Sequence, residues 1–153
     1  MYTDIFKNRI MFPLYDPNGR CIGYNGRIYN NEDTNRYVNT KETEIFHKRD
    51  FLYNYNNVLE EVRRKKYVII MEGPMDVINA YQNGIKNVIA TMGTAFSPEH
   101  ALLIRRLKCD VVLCFDGDDA GHKGTKLAID ELTKIGIIPK VVMLNDGMDP
   151  DSA

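Results

Sequence analysis

At 153 residues, 44% hydrophobic and 27% charged, the chain can bury one sizeable core, as a single domain or a domain with a smaller attached subdomain. No apolar run approaches the roughly 20 residues that cross a bilayer, and no apolar signal core follows Met1, so no membrane partner is implied and a cytoplasmic location is the expectation. The three cysteines, Cys21, Cys109 and Cys114, form no C-x-x-C pair, which argues against a disulfide framework and against zinc.

The net charge of −1 conceals a division. Residues 1–66 carry 12 Lys/Arg against 9 Asp/Glu, whereas residues 67–153 carry 8 against 12. A basic half joined to an acidic half suits a phosphate-binding surface beside a cation-binding centre. The periodicity changes at the same place. Met11–Tyr15 is a short apolar strand, Asp16-Pro17-Asn18-Gly19 a tight turn, and Cys21–Tyr29 the returning strand. The glycines of that strand suit a bulge or the close approach of a ligand. Arg36–Thr40 is a further short strand, and residues 55–65 read as a helix ending in Arg63-Arg64-Lys65-Lys66, a solvated end that favours the macrodipole.

From residue 67 the pattern becomes strand–helix alternation. Tyr67–Met71 is a buried-type strand, and Pro74 opens a helix that Gly84 stops. Asn87–Thr91 is the second strand, and Ser97 caps a helix with Pro98 at its first position. Asp110–Phe115 is the third strand, followed by a helix from about Gly121 to Ile135. Lys140–Leu144 is the fourth strand. Continuous β-branched runs between helices imply an α/β fold: a mainly parallel sheet with helices on both faces, preceded by a small antiparallel β-rich subdomain. The division is expected at 1–66 and 67–153.

Each of these strands runs into a polar loop: Glu72-Gly73-Pro74-Met75-Asp76, Met92-Gly93-Thr94, Asp116-Gly117-Asp118-Asp119, and Asn145-Asp146-Gly147-Met148-Asp149-Pro150-Asp151. A parallel sheet gathers all four at its carboxyl edge. Carboxylates so gathered repel one another, and a hard divalent cation relieves the repulsion. An all-oxygen donor set points to Mg²⁺ or Mn²⁺. Two ions about 3.5–4 Å apart would suit phosphoryl transfer. Taken singly, each acidic loop is equally well a turn or a helix cap.

The E-G-x-x-D, D-x-D and D-P-D arrangement on this alternation resembles the Toprim domain, shared by DnaG-type primases, type IA and type II topoisomerases, some nucleases and recombination proteins. Arg9–Leu14, Ile22-Gly23-Tyr24, Gly26-Arg27, Arg36–Thr40 and Ile45-Phe46-His47-Lys48 resemble the segment that precedes the Toprim domain in bacterial DnaG-type primases. Pro74 and Arg36 depart from the usual family residues, an aromatic residue and a lysine.

The resemblance implies a Toprim-type fold and template-directed synthesis of short RNA primers on single-stranded DNA from ribonucleoside triphosphates, with a replicative helicase as partner through a domain not represented here. The family's zinc-binding domain and further core segments are also not represented, so an excised piece of a longer enzyme is expected. Glu72, Asp116 and Asp118 are the first candidates for catalysis and metal ligation. Asp76, Asp149 and Asp151 are the second set of metal candidates. Two or more Mg²⁺ or Mn²⁺ ions are implied, and Glu72 is a candidate general base as well as a ligand. Arg27, Arg36, Lys48, Tyr37 and Asn39 match family positions for template or nucleotide. A DNA-cleaving Toprim enzyme (nuclease or topoisomerase-like) and a non-catalytic binding module are the alternatives. The segment before residue 66 separates primase from the first of these.

Overall fold

The computed structural model describes residues 3–30 and 35–150. The chain forms two compact units, residues 1–47 and 48–153.

The first unit is a three-stranded antiparallel sheet of β1 (Arg9–Tyr15), β2 (Cys21–Ile28) and β3 (Tyr37–Asn39), in the order β1-β2-β3. Pro13 is tolerated because β1 is an edge strand. The Asp16–Arg20 turn forms for local reasons: the Asp16 carboxylate accepts from the N–H groups of Asn18 and Arg20, both at 2.9 Å, and Gly19 takes φ +80°. The irregularity in pairing falls at Leu14/Tyr15, beside this turn, and not at the glycines of β2.

The second unit is a four-stranded parallel sheet in the order β5-β4-β6-β7. Its strands are β4 (Tyr67–Met71), β5 (Val88–Ala90), β6 (Asp110–Leu113) and β7 (Lys140–Val141). Its helices are α1 (Tyr55–Lys65), α2 (Pro74–Gln82), α3 (Pro98–Leu107) and α4 (Asp119–Lys134), after a single 3-10 turn at Lys48–Asp50. Alternation along β4 assigns the faces. Val68 and Ile70 pack with residues of α1, α3 and α4 such as Val58, Val62, Ile104, Ala128 and Leu132. Ile69 and Met71 join the other cluster, with Val77 and Ala80 of α2. Helices therefore cover both faces, as the continuous apolar strands require. Fully burying a Val, Ile, Leu or Met side chain among these contributes on the order of 2 kcal/mol.

Three local outcomes differ from the sequence reading. Helix α1 packs against β4 and β5, so the boundary between the compact units lies at 47/48, ahead of the change in periodicity at 66. Helix α4 begins two residues earlier than Gly121, because Asp118 caps it. Strand β7 holds two residues instead of five: the Val142 N–H still donates to Leu113 O at 2.8 Å, but β6 ends there and the chain turns away. No helix among the described residues is long and apolar enough to cross a membrane.

Candidate metal centre

Strand order places the site. The chain leaves β4 for β5 on one side and then crosses to β6 on the other, so β4 and β6 are neighbours at the point where the order reverses. Ligands bind at such switch points, beyond the carboxyl ends of the strands. Glu72 follows β4 and Asp116 follows β6, and the Asp116 N–H donates to Glu72 Oε1 at 3.0 Å. Gly121 permits this closeness, and Gly117 permits the approach of the loop after β7. A Cβ on Gly121 would lie 2.1 Å from Asp116 O and 2.9 Å from Glu72 Oε1. A Cβ on Gly117 would lie 2.2 Å from Asn145 O.

The second glycine reveals a connection the sequence does not announce. Gly117 N–H donates to Met148 O at 2.8 Å, and Gly147 N–H donates to Gly117 O at 2.9 Å. The loop after β7 is thus zipped by backbone to the D-x-D loop, which brings Asp149 into the field of Asp116. The loop after β5 clamps the third side. Gly93 N–H donates to Glu72 O at 3.1 Å, with Met92 at φ 64° and Gly93 at φ 68°. A buried methionine in the left-handed region is strained, and such strain gathers at functional sites.

The electrostatics are those of crowded carboxylates. Burial raises the Glu72 carboxyl above its ordinary value; Asp116, Asp118 and Asp76 add to the rise, against the hydrogen bond from Asp116 N–H. Burial likewise raises Asp116, reinforced by Asp118 and Asp149. Asp116 Oδ1 is buried without a hydrogen-bond partner. Two other acids are engaged in caps: Asp76 Oδ2 accepts from Gly73 N–H at 2.9 Å, and Asp118 Oδ1 accepts from Gly121 N–H at 2.7 Å. The structure therefore draws Glu72, Asp76, Asp116, Asp118 and Asp149 into one electrostatic cluster. Asp151 lies outside the described residues. Among the described residues no three ligating side chains stand together as a metal-binding group. The unpartnered Asp116 oxygen and the raised Glu72 and Asp116 carboxyls are a donor set that fits a hard cation.

The basic candidates fall in both units. Arg27 on β2 is the cross-strand partner of Tyr37 on β3, with its guanidinium 5.5 Å from the ring centroid. Asn25 is the partner of Asn39, and its Nδ2 donates to Asn39 Oδ1 at 2.7 Å. Since i and i+2 share a face, Arg27, Tyr37 and Asn39 lie on one side of the sheet together with Asn25. Asn25 is a residue the sequence reading missed. It is buried and its Oδ1 has no partner. Arg36 is exposed just ahead of β3, and its carbonyl accepts from Ile28 N–H. Lys48 belongs to the second unit and opens the 3-10 turn.

That turn is held by a second missed residue, His100. Its Nε2 lies 3.1 Å from Lys48 O and 3.0 Å from Phe51 O, while Nδ1 accepts from Ser97 N–H at 3.2 Å. Ser97 Oγ completes the anchor on Arg49 O. The imidazole is fully buried, and burial lowers its pKa below the ordinary 6.5, so it is the neutral tautomer with Nε2–H that fits this bonding. A Ser-Pro-Glu-His cap is legible in sequence; a capping histidine that also pins a distant turn is not.

Residues 69–153, more than half of the chain, match the family model described as Toprim-like. The chain belongs to the Toprim-like family. The first 59 residues of this Toprim-like chain match a second model, "DNA primase catalytic core, N-terminal domain". A DNA primase of Staphylococcus aureus (strain COL) is 45% identical over 150 residues, which is 98% of this chain and 25% of the relative. The Toprim-like chain thus spans a quarter of the length of the curated relatives it matches. The Aquifex aeolicus primase structure (zinc binding and RNA polymerase domains) superposes with a TM-score of 0.93 at 34% identity, covering 99% of this chain and 38% of that one. A DnaG primase catalytic domain bound to ssDNA superposes at 0.88 with 36% identity, covering 97% and 47%. The resemblance to the DnaG-type primase core therefore holds along both sheets. The match of the first 59 residues favours it over a DNA-cleaving Toprim enzyme.

Proposed function

We propose that this chain is the metal-binding and nucleotide-binding part of an enzyme that synthesises RNA primers on single-stranded DNA. The supporting observation is the buried, unpartnered Asp116 oxygen among raised carboxylates at the switch point, on a chain whose first 59 residues match a primase catalytic core.

In this reading Glu72, Asp116 and Asp118 are the main ligands of Mg²⁺ or Mn²⁺, with Asp76, Asp149 and Asp151 completing the shell around two or more ions. Bound divalent cations would supply charge stabilisation at the phosphates of a ribonucleoside triphosphate. Glu72, with its carboxyl raised, is also suited to accept a proton from a 3′-hydroxyl. Arg27, Arg36 and Lys48 contact phosphates, which gives affinity without sequence choice. Tyr37 offers a stacking face and Asn39 a hydrogen-bonding amide. Residues 1–66 serve as the basic half and 67–153 as the metal-binding half, with α1 built into the core of the latter. A cytoplasmic location and contact with a replicative helicase, made through other parts of a longer protein, belong to the same reading.

The test is incorporation of labelled ribonucleotides on a single-stranded template by the longer protein that carries this chain. Primers should form with the natural sequence and vanish with Asp116→Asn, Asp118→Asn. Template scission without primer synthesis would replace this reading with the DNA-cleaving one.

A further inference from the structure

At the amino edge of the parallel sheet, opposite the carboxylates, the charge has the other sign. Strands β4 and β6 lie side by side in register, Tyr67 against Asp110. The chain passes into each from a helix through a lysine. Lys66 closes α1 at φ 66°, and Lys108 closes α3 at φ 50°. The Asp110 N–H donates to Lys66 O at 3.0 Å, which ties the starts of the two strands together. Lys66, Lys108 and Arg105 line a groove of about 480 Å³ whose remaining wall is Ile104, Ile137, Cys109 and Asp110. The three cations are exposed and none forms an ion pair among the described residues. The groove's carboxylate, Asp110, has Lys140 at 3.7 Å. Burial pushes the Cys109 thiol up to about 11, so it adds no negative charge at neutral pH.

Helix ends attract cations, and Arg63, Arg64, Lys65, Arg105 and Arg106 already serve that purpose within the last turns. The left-handed closing position is a different matter. Glycine is the stable choice there, and a lysine carries a conformational cost. Both helices that lead into these adjacent strands end on such a lysine, Lys66 directly before β4 and Lys108 two residues before β6, and both line one groove. The macrodipole favours a cation at the C-terminal end of either helix, and two such cations on one groove also present their charge to an anion.

We propose that this groove is a binding site for the phosphate backbone of single-stranded nucleic acid, separate from the metal centre. The inference rests on the reading of the chain as a nucleic-acid enzyme. Phosphate is favoured over an acidic protein segment because three unpaired cations around a shallow, partly apolar floor match a sugar–phosphate strand. Such contacts hold a strand without reading its sequence. A strand held here would be gripped at the sheet edge remote from the carboxylates, so the chain would hold it in register without reaching the reacting groups.

The test is fluorescence anisotropy of a labelled oligothymidylate against salt concentration, with the whole chain and with Lys66→Gly, Lys108→Gly. Glycine removes the cations and relieves the backbone, so lost binding with raised thermal stability cannot be blamed on misfolding. Binding should weaken about tenfold at low salt, and the slope of log affinity against log salt should fall by about 1.4, two contacts at roughly 0.7 each. The control, Lys123→Ala, Lys126→Ala on α4, removes the same charge and should leave the slope unchanged. An unchanged slope in the glycine variant, or an equal fall in the control, overturns the site. An oligoglutamate that binds the natural chain as tightly, with the same loss in the glycine variant, would replace the nucleic acid with an acidic protein segment. Mn²⁺ binding at the carboxylates is untouched by any of these results, so failure here is distinguishable from failure of the metal-centre reading.

Discussion

The two edges of the parallel sheet carry opposite charge and accommodate it differently. At the carboxyl edge the charges are crowded, burial and then the neighbouring carboxylates raise Glu72 and Asp116, and one oxygen of Asp116 is left without a partner. At the amino edge the cations are exposed and stand among helix C-termini that favour positive charge. There the cost lies in the backbone, at Lys66 and Lys108. In the proposed reading a bound cation relieves the acidic edge. The basic edge is tolerable alone and gains from a ligand only as affinity.

The largest test of this contrast breaks the acidic edge. Gly121→Ala would force a methyl group to within 2.1 Å of Asp116 O, where backbone must move. We expect a loss of about 3 kcal/mol in urea denaturation, with loss of Mn²⁺ binding. A variant as stable as the natural chain would mean the two loops are less closely joined than described.

Next is His100→Ala, which leaves Lys48 O and Phe51 O without their donor and opens a cavity beneath the 3-10 turn. A cost of about 3 kcal/mol is expected. The pH dependence follows from the sign of the shift. The folded imidazole has the lower pKa, so the unfolded chain binds the extra proton, and stability is lost as pH falls below 6.5 toward the folded value. The stability difference between the natural chain and the variant, from unfolding midpoints measured from pH 7.5 to 5, should shrink as pH falls through that window.

A smaller effect has the opposite sign. Glu72→Gln with Asp116→Asn keeps Oε1 as acceptor for the backbone N–H of residue 116 and removes the repulsion. Without metal, this variant should be more stable at pH 7 by on the order of 1 kcal/mol. Because both carboxyls are raised in the folded state, their contribution to stability is lost as pH rises through the window above the ordinary carboxylate values, so the gain of the variant over the natural chain should grow across it. The smallest expected change is at the basic edge, where Lys66→Gly or Lys108→Gly should each add up to about 1 kcal/mol in thermal unfolding. A destabilised glycine variant would show that the lysine stems contribute packing.

What the sequence made legible was whatever is written in apolar runs and their punctuation. The four β-branched runs, the Pro74 and Ser97-Pro98 starts, and the acidic loops after β4 and β6 were all readable, because burial and capping act through side-chain identity. The docking of Gly117 against Asn145–Met148 was not, because backbone groups common to every residue make it. The strain at Met92 and the His100 anchor were hidden for a related reason: each depends on partners tens of residues away. Helix α1 was read correctly as a helix, but which sheet it serves is decided by tertiary packing of Tyr55, Val58 and Val62.

The most direct test of the metal centre is a Mn²⁺ titration of the whole chain and of Glu72→Gln, Asp116→Asn, followed by calorimetry and paramagnetic relaxation. Saturable binding by the natural chain that is absent from the folded variant is the predicted result. Equal binding by both, or none by either, would contradict a metal centre built on these carboxylates.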